Sequence, residues 1–449
     1  MKIAIVGSGI SGLTAAHFLH RTHQITVFEA GDYVGGHAHT LDVEIDGERH
    51  AVDTGFIVYN DWTYPNYIAL LDEIGVASRP TTMSFSVHCA KTGLEYCGSN
   101  LNGLFAQRRN LVRPGFYKML ADILRFNRES CRILESDAEP LVSDYLREHR
   151  YGKAFINDYF VPMGSAIWSC PRDKFESFPV RFVVEFFRNH GLLSVMHRPT
   201  WRTICGGSRQ YVEALSRPFR ECIRLKTPVL SVRRRPTDVA VRTSVGEQSF
   251  DHVVFACHSD QALRILGDVS PTEREVLSAF PYEPNVAVLH TDTSVLPRSR
   301  RAWAAWNYHV PLQPTGQATV TYNMNILQGL QSRHTFCVTL NEEAAIDPNK
   351  VLAKQVYHHP VFTSRRREAQ KRHPELINAN RTSFCGAYWG NGFHEDGVNS
   401  ARAVCAALPG GRESLSGRVI DRSIGNQTTG GLKKASESVA LVSHSSSNS

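Results

Sequence analysis

Apolar positions in the first thirty residues follow two rhythms. Lys2 to Val6 is a continuous apolar run after one lysine, the pattern of a strand buried on both faces. Leu13 to His20 spaces its apolar residues for a helix, and Gln24 to Phe28 returns to a short strand ending at Glu29. The stretch predicts β-α-β, with Gly7-Ser8-Gly9-Ile10-Ser11-Gly12 as the first turn. Leu101 to Leu146 then reads as largely helical, with Pro114 and Pro140 as breaks. In Phe175 to Val195, residues Phe178, Phe182, Val183, Phe186 and Phe187 gather on one helical face. Such a face is packed core by default and an acyl channel on the sharper reading. Ile223 to Val232, Asp238 to Thr243 and Gln248 to Cys257 read as three short strands, and Asn399 to Leu408 as a helix. Pro409 to Ser449 holds ten serines, six glycines and no aromatics, which predicts a disordered tail.

The first turn carries chemistry. Gly7 allows the sharp bend, Gly9 lets a pyrophosphate reach the backbone, and Gly12 lets the helix pack close to the strand. The helix N-terminus, with Ser11 in its first turn, offers free N–H groups and a partial positive charge. Glu29 follows Gly12 by 17 residues, where a carboxylate holds both ribose hydroxyls and repels a 2′-phosphate, which argues against NADP.

Length and composition bound the rest. At ~150 residues per domain, 449 residues predict two or three domains. No apolar stretch reaches the ~18 residues of a membrane span. Met1-Lys2-Ile3 runs straight into the strand pattern without a cleavable leader, which predicts a cytoplasmic protein. The ten cysteines are scattered without C-x-x-C pairs, and His37/His39 and His358/His359 lack partners at zinc spacing. We therefore expect neither disulfides nor a metal. The charge of +7 comes in short runs at Arg108-Arg109, Arg233 to Arg235, Arg298 with Arg300-Arg301, and Arg365 to Arg367. These predict solvated faces or, as a second reading, peripheral contact with anionic membrane headgroups. No motif supports nucleic-acid binding.

The glycine pair Gly35-Gly36, six residues after Glu29, resembles the extended fingerprint of FAD enzymes of the amine oxidase and phytoene desaturase superfamily. Those proteins usually carry Arg after the pair, whereas here it is His37. Val52 to Phe56 is similar to their D-x-G step, Gly206 to Leu215 to their second glycine-pair helix, and Asp251 to Cys257 to the strand closing their FAD domain. GGHAHT (35–40), DTGFIVYND (53–61), TYPNY (63–67), MSFSV (83–87), RPTWRTICGGSRQYV (198–212), LHTDTSVLP (289–297), AWAAWNY (302–308) and FCGAYWGNGFHEDG (384–397) resemble one branch. That branch is the amine-oxidase-like protein often encoded beside cyclopropane fatty acid synthases, and it also resembles the N-terminal region of plant cyclopropane fatty acid synthases.

The resemblance implies an α/β fold of glutathione-reductase type. Its discontinuous FAD-binding domain would take residues 1–80, 205–280 and 376–408, and an inserted α+β substrate domain 81–204 and 281–375. It implies FAD as cofactor, with Val229 at the adenine and Gly386, Asp396, Gly397 and Val398 at the flavin end, besides Gly7, Gly9, Ser11, Gly12, Glu29, Gly35, Gly36 and His37. It also implies a small-molecule or lipid substrate and a functional link to a cyclopropane fatty acid synthase-like methyltransferase.

True amine oxidases of the superfamily place a lysine in the strand matching Tyr282 to Asp292. None occurs between Lys226 and Lys350, and rough alignment puts Asn285 at that position. His290 with Asp292 is one candidate acid/base pair and His394 with Glu395 another, against the plainer reading that each bonds within the fold. Three functions follow: an FAD oxidoreductase of a lipid-derived substrate, an oxidase of small amines, or a flavoprotein without turnover that assists a lipid-modifying methyltransferase.

Overall fold

The predicted β-α-β unit forms, with strand Lys2–Val6, helix Ile10–Leu19 and strand Gln24–Phe28. Five parallel strands lie in the order Ile223–Arg224, Gln24–Phe28, Lys2–Val6, His252–Phe255, Thr382–Phe384. Lys2–Val6 is central, and Ile3, Ala4 and Ile5 are wholly buried, as its unbroken apolar run requires. One face of the sheet packs against helices Ile10–Leu19, Arg209–Ser216 and His394–Ala406. The other packs against a three-stranded antiparallel sheet and the short helices Ser259–Ile265 and Pro271–Leu277. This computed structural model describes residues 1–410 except 137, 195–197, 314–315 and 364, and the described residues fall in one packed unit. From residue 411 the expected tail lies outside the described residues.

Two strand readings divide. Ile223 to Val232 becomes Ile223–Arg224 in the parallel sheet and Val229–Arg234 in the antiparallel one. The chain turns between them at Lys226 (φ 51°), whose N–H donates to the Gly31 carbonyl. Gln248 to Cys257 divides at Asp251, whose carboxylate accepts from the Lys2 N–H while its own N–H donates to the Lys2 carbonyl. Gly246–Phe250 therefore pairs antiparallel and His252–Phe255 parallel.

A second sheet of seven strands draws on other stretches. Its order is Val351–Pro360, Tyr282–His290, Cys337–Leu340, Val320–Asn323, Trp306–Val310, Phe85–Cys89, Leu94–Cys97. Helices from Leu101 to Asn189 pack beside it. Pro114 stands at the expected break: the 3-10 turn Arg108–Val112 ends, Arg113 is extended, and Pro114 opens helix Pro114–Glu129, since the first helical position needs no N–H partner. That helix ends in the short 3-10 turn Ser130–Glu135. The aromatic face of Phe175 to Val195 is also interrupted, at Pro179, and it is solid core. Phe175, Phe178, Val183 and Phe187 join Phe126, Phe155 and Phe160 in one buried cluster, and a Cβ on Gly164 would lie 2.0 Å from the Phe175 ring. Among the described residues that face is filled by packed aromatic and aliphatic side chains.

Candidate functional site

The turn after Lys2–Val6 is built on contacts that exclude side chains. Gly7 has φ +105°, and a Cβ on Gly12 would sit 2.0 Å from the Gly7 carbonyl oxygen. Gly9 is different: a Cβ there would meet nothing within 4 Å, so its surroundings are open. Gly9 precedes helix Ile10–Leu19 without a side-chain cap, and the helix has no acid in its first turn. Its N–H groups and dipole therefore face a free space suited to an anion. Ser11, buried, faces Gly397 of helix His394–Ala406, where a Cβ would lie 2.9 Å from its hydroxyl.

Glu29 ends the second strand beside this space. One carboxylate oxygen accepts from the Ser8 N–H (2.9 Å) and hydroxyl, the other from the Gly31 N–H (2.8 Å). The Thr227 N–H donates to the Glu29 carbonyl, which brings the start of strand Val229–Arg234 alongside. Gly35 and Gly36 both take positive φ, and a Cβ on Gly36 would lie 3.1 Å from the Gly9 Cα. The glycine pair thus folds back over the first turn.

Behind these loops lies the edge of the second sheet. Gly55 lets the His37 carbonyl approach within 2.1 Å of where a Cβ would stand. Tyr357 bonds the Thr54 hydroxyl (2.7 Å), and His37 lies between Tyr357 and His359, with ring centroids 5.1 and 5.5 Å away. Burial pushes His37 down to about 4, and His258 and His359 to about 3. The position after the glycine pair is therefore uncharged at neutral pH.

Asn285, opposite Tyr357 in the sheet, is buried in a directional network. The Val286 N–H donates to Asn341 Oδ1 (2.9 Å), which turns Asn341 Nδ2 toward the Ala318 carbonyl and Asn285 Oδ1 (2.7 Å). Asn285 Nδ2 is left to donate to His359 Nδ1 (3.0 Å). An amide NH₂ only donates, so Nδ1 accepts and the proton of the neutral ring sits on Nε2. Two backbone groups thereby fix the tautomer of a histidine. Sequence reasoning missed Asn341, Tyr357 and His359. The signal was the two-residue alternation that puts Tyr357 and His359 on one face of strand Val351–Pro360.

The remaining expected residues scatter. His290 stands five residues beyond Asn285, roughly 17 Å along the strand. It bonds the Thr339 hydroxyl and the Asp292 N–H. Asp292 accepts from the Ser294 and Asp347 N–H groups and from Lys350. The pair is a strand terminus held by its own neighbours, and the structure does not bring it to the glycine loops. His394 stacks on Phe56 at 3.5 Å and bonds the Tyr211 hydroxyl at 2.8 Å, with burial holding it well below the usual imidazole range. Glu395 accepts from the Asn66 and Tyr67 N–H groups. Asp396, pushed up to about 6 by burial, accepts from the Asn391 and Phe393 N–H groups and shapes the loop before helix His394–Ala406. Gly386 donates its N–H to the Ser400 hydroxyl, Gly397 abuts Ile10 and Ser11, and Val398 is core. No cluster of metal-ligating side chains occurs among the described residues.

Residues 10–312 match the family model described as flavin containing amine oxidoreductase. The chain belongs to this family. By that description the family is one of flavin-containing oxidoreductases. A probable zeta-carotene desaturase of Synechococcus elongatus is 21% identical over 340 residues, covering 71% of this chain and 65% of that protein. Among solved structures, a putative protoporphyrinogen oxidase from Exiguobacterium sp. 255-15 superposes with TM-score 0.64 at 19% identity, covering 90% of this chain and 97% of that one. A CLA-producing fatty acid isomerase from P. acnes gives 0.63 at 15% identity over 90% and 97%. A cyclohexylamine oxidase from Brevibacterium oxydans IH-35A gives 0.61 at 16% over 90% and 98%. The family's fold therefore extends over nearly the whole described chain.

Proposed function

We propose that the chain uses FAD to oxidise an apolar, lipid-derived substrate, most simply a fatty acyl chain. The observation that carries this is the neutral Asn285–His359 pair, at the position that rough alignment matches to the lysine of the amine oxidases the sequence resembles. An uncharged pair suits a substrate without an amine, and two relatives have names that refer to a carotene and a fatty acid. The branch encoded beside cyclopropane fatty acid synthases points the same way and makes a lipid-modifying methyltransferase the expected functional partner.

In this reading residues 1–80, 205–280 and 376–408 form the FAD-binding domain. Gly9, Gly36 and the N-terminus of helix Ile10–Leu19 receive the pyrophosphate, while Gly7 and Gly12 hold the turn. Glu29 takes the ribose and the backbone near Val229 the adenine, while Gly386 to Val398 close the flavin end. Bound FAD supplies the electron acceptor. His359 keeps a proton on Nε2, and His37 adds no charge beside the phosphates.

Anaerobic mixing tests the reading. Unsaturated or cyclopropane phospholipids should bleach the flavin, and polyamines or aryl amines should not. Bleaching by an amine alone would make the protein a small-amine oxidase. Bleaching by neither would favour a flavoprotein without turnover that assists the methyltransferase.

A further inference from the structure

The structure sorts the four arginine runs into two kinds. Arg233 to Arg235 and Arg365 to Arg367 are largely used inside the fold. Arg234 pairs with Asp268 and Glu273, Arg235 with Asp238 and Glu247, and Arg367 with Glu139. Arg366 is buried against the Phe362 ring.

The other two runs meet no carboxylate through their guanidinium groups within salt-bridge distance among the described residues. Arg108 donates to the Phe105 carbonyl and Asn102 Oδ1, and Arg109 to the Gly93 carbonyl and Gln107 Oε1. Arg300 lies over the Trp303 ring. These runs also share a surface. Helix Leu101–Leu104 packs on the turn Arg300–Ala302, where a Cβ on Gly103 would lie 3.4 Å from the Arg301 carbonyl oxygen. Gly98 to Lys118 and Leu296 to Ala302 together contain Arg108, Arg109, Arg113, Lys118, Arg298, Arg300 and Arg301, with no Asp or Glu. The nearest acids on helix Pro114–Glu129, Asp122 and Glu129, already pair with Arg125 and Arg128.

Inside this basic surround stand apolar side chains that nothing covers. Val112 is 82% exposed, Leu101 74%, Leu111 49% and Tyr117 46%. They are contiguous: the Tyr117 hydroxyl donates to the Leu111 carbonyl, and Leu101, Phe105, Arg108 and Leu111 line one shallow depression. Single exposed apolar residues are ordinary, but a cluster ringed by unpaired cations calls for a partner that is both anionic and apolar. A bilayer containing anionic lipid supplies both, through its surface potential and its acyl boundary.

We propose that this face docks on anionic phospholipid bilayers, with Leu101, Leu111 and Val112 entering the acyl boundary and Arg108, Arg109, Arg300 and Arg301 meeting phosphates. The attachment is peripheral, since among the described residues no helix is long and apolar enough to cross a membrane. It does not rest on the substrate reading, because vesicle binding requires no turnover.

Flotation of the full-length holoprotein with vesicles tests it. The protein should float with phosphatidylcholine vesicles that include phosphatidylglycerol, stay down with phosphatidylcholine alone, and be released by high salt. Leu101→Asp with Val112→Asp, both at exposed positions, should lower partitioning at least ~10-fold while leaving flavin content and melting temperature unchanged. Arg108→Glu with Arg301→Glu should do the same. Failure to float with any vesicle, or flotation untouched by both double variants, would overturn the proposal. So would a concentration-dependent dimer that the Leu101/Val112 variant dissociates without any vesicle binding, for the face would then join two copies.

Discussion

The glycine loops around Glu29 and the Asn341–Asn285–His359 network are both tightly specified, but by opposite routes. The loops take nearly all their parts from the first 36 residues, and their precision is steric: Gly7, Gly12 and Gly35 leave no room for a side chain. The network takes one residue from each of three strand or loop segments, with 56 and 74 positions separating Asn285 from Asn341 and His359. Its precision is directional, set by which atoms donate. Steric precision fails abruptly under substitution, and directional precision shifts by degrees.

The sharpest way to break the contrast is within the loops themselves. Gly12→Ala should leave no folded yellow protein, since a Cβ 2.0 Å from a carbonyl oxygen puts it among the rare losses above about 4 kcal/mol. The Gly9→Ala apoprotein, with nothing within 4 Å of the new Cβ, should melt like the parent apoprotein yet take up FAD poorly. A parallel loss of stability in both would show that Gly9 is structural, as read by differential scanning fluorimetry with flavin absorbance. Next comes Glu29→Ala. Losing the two ribose hydrogen bonds proposed for it, each worth about 1.5–3 kcal/mol to a charged acceptor, should lower FAD affinity at least ~10-fold in a reconstitution titration.

The seam between loops and sheet should respond to acid. The fold keeps His37, His258 and His359 neutral down to about 4, 3 and 3, whereas the unfolded chain takes up protons near 6.5. Lowering the pH from 6.5 toward 4 therefore favours unfolding, and stability rises with pH across that window. Asp53 and Asp396, raised to about 6 by burial, oppose this, because the folded state protonates them before the unfolded chain does. The three histidines outnumber them, so the melting temperature should fall on acidification, and His359→Gln should flatten the slope. The most local readout is expected from Asn285→Asp. A carboxylate accepts where the amide donated, so the His359 proton should move from Nε2 to Nδ1, or a second proton should join the ring there, at the cost of burying a charge. Nitrogen NMR of labelled histidine reads that exchange, and an unchanged tautomer would mean the network does not set it.

Legibility in the sequence follows the same division. The parallel β-α-β unit was readable because strand, turn and helix are contiguous and each glycine has a local geometric reason. Lysine's absence was also readable, and rough alignment reached Asn285. Its partners were not, because nothing in His358-His359 or Asn341 says which strand lies beside Tyr282–His290 until the sheet is assembled. His290 and Asp292 looked attractive for the opposite reason: two titratable residues close in sequence, whose real neighbours, Thr339, Asp347 and Lys350, come from elsewhere. The aromatic run from Phe175 had the right periodicity for either core or channel, and only the Phe175 ring seated on Gly164 decides between them.

The parallel sheet has one consequence for the birth of the protein. Its central strand is Lys2–Val6, but its edge strand is Thr382–Phe384, and helix His394–Ala406 rests on the first turn through Gly397. At translation rates of ~5–20 residues per second, the nascent β-α-β unit of the first 28 residues waits roughly 20 to 70 seconds for the strand that completes its sheet. During that interval the glycine turn exists without the helix that braces it. A chain that ends before Thr382 leaves strand His252–Phe255 as an unpaired sheet edge.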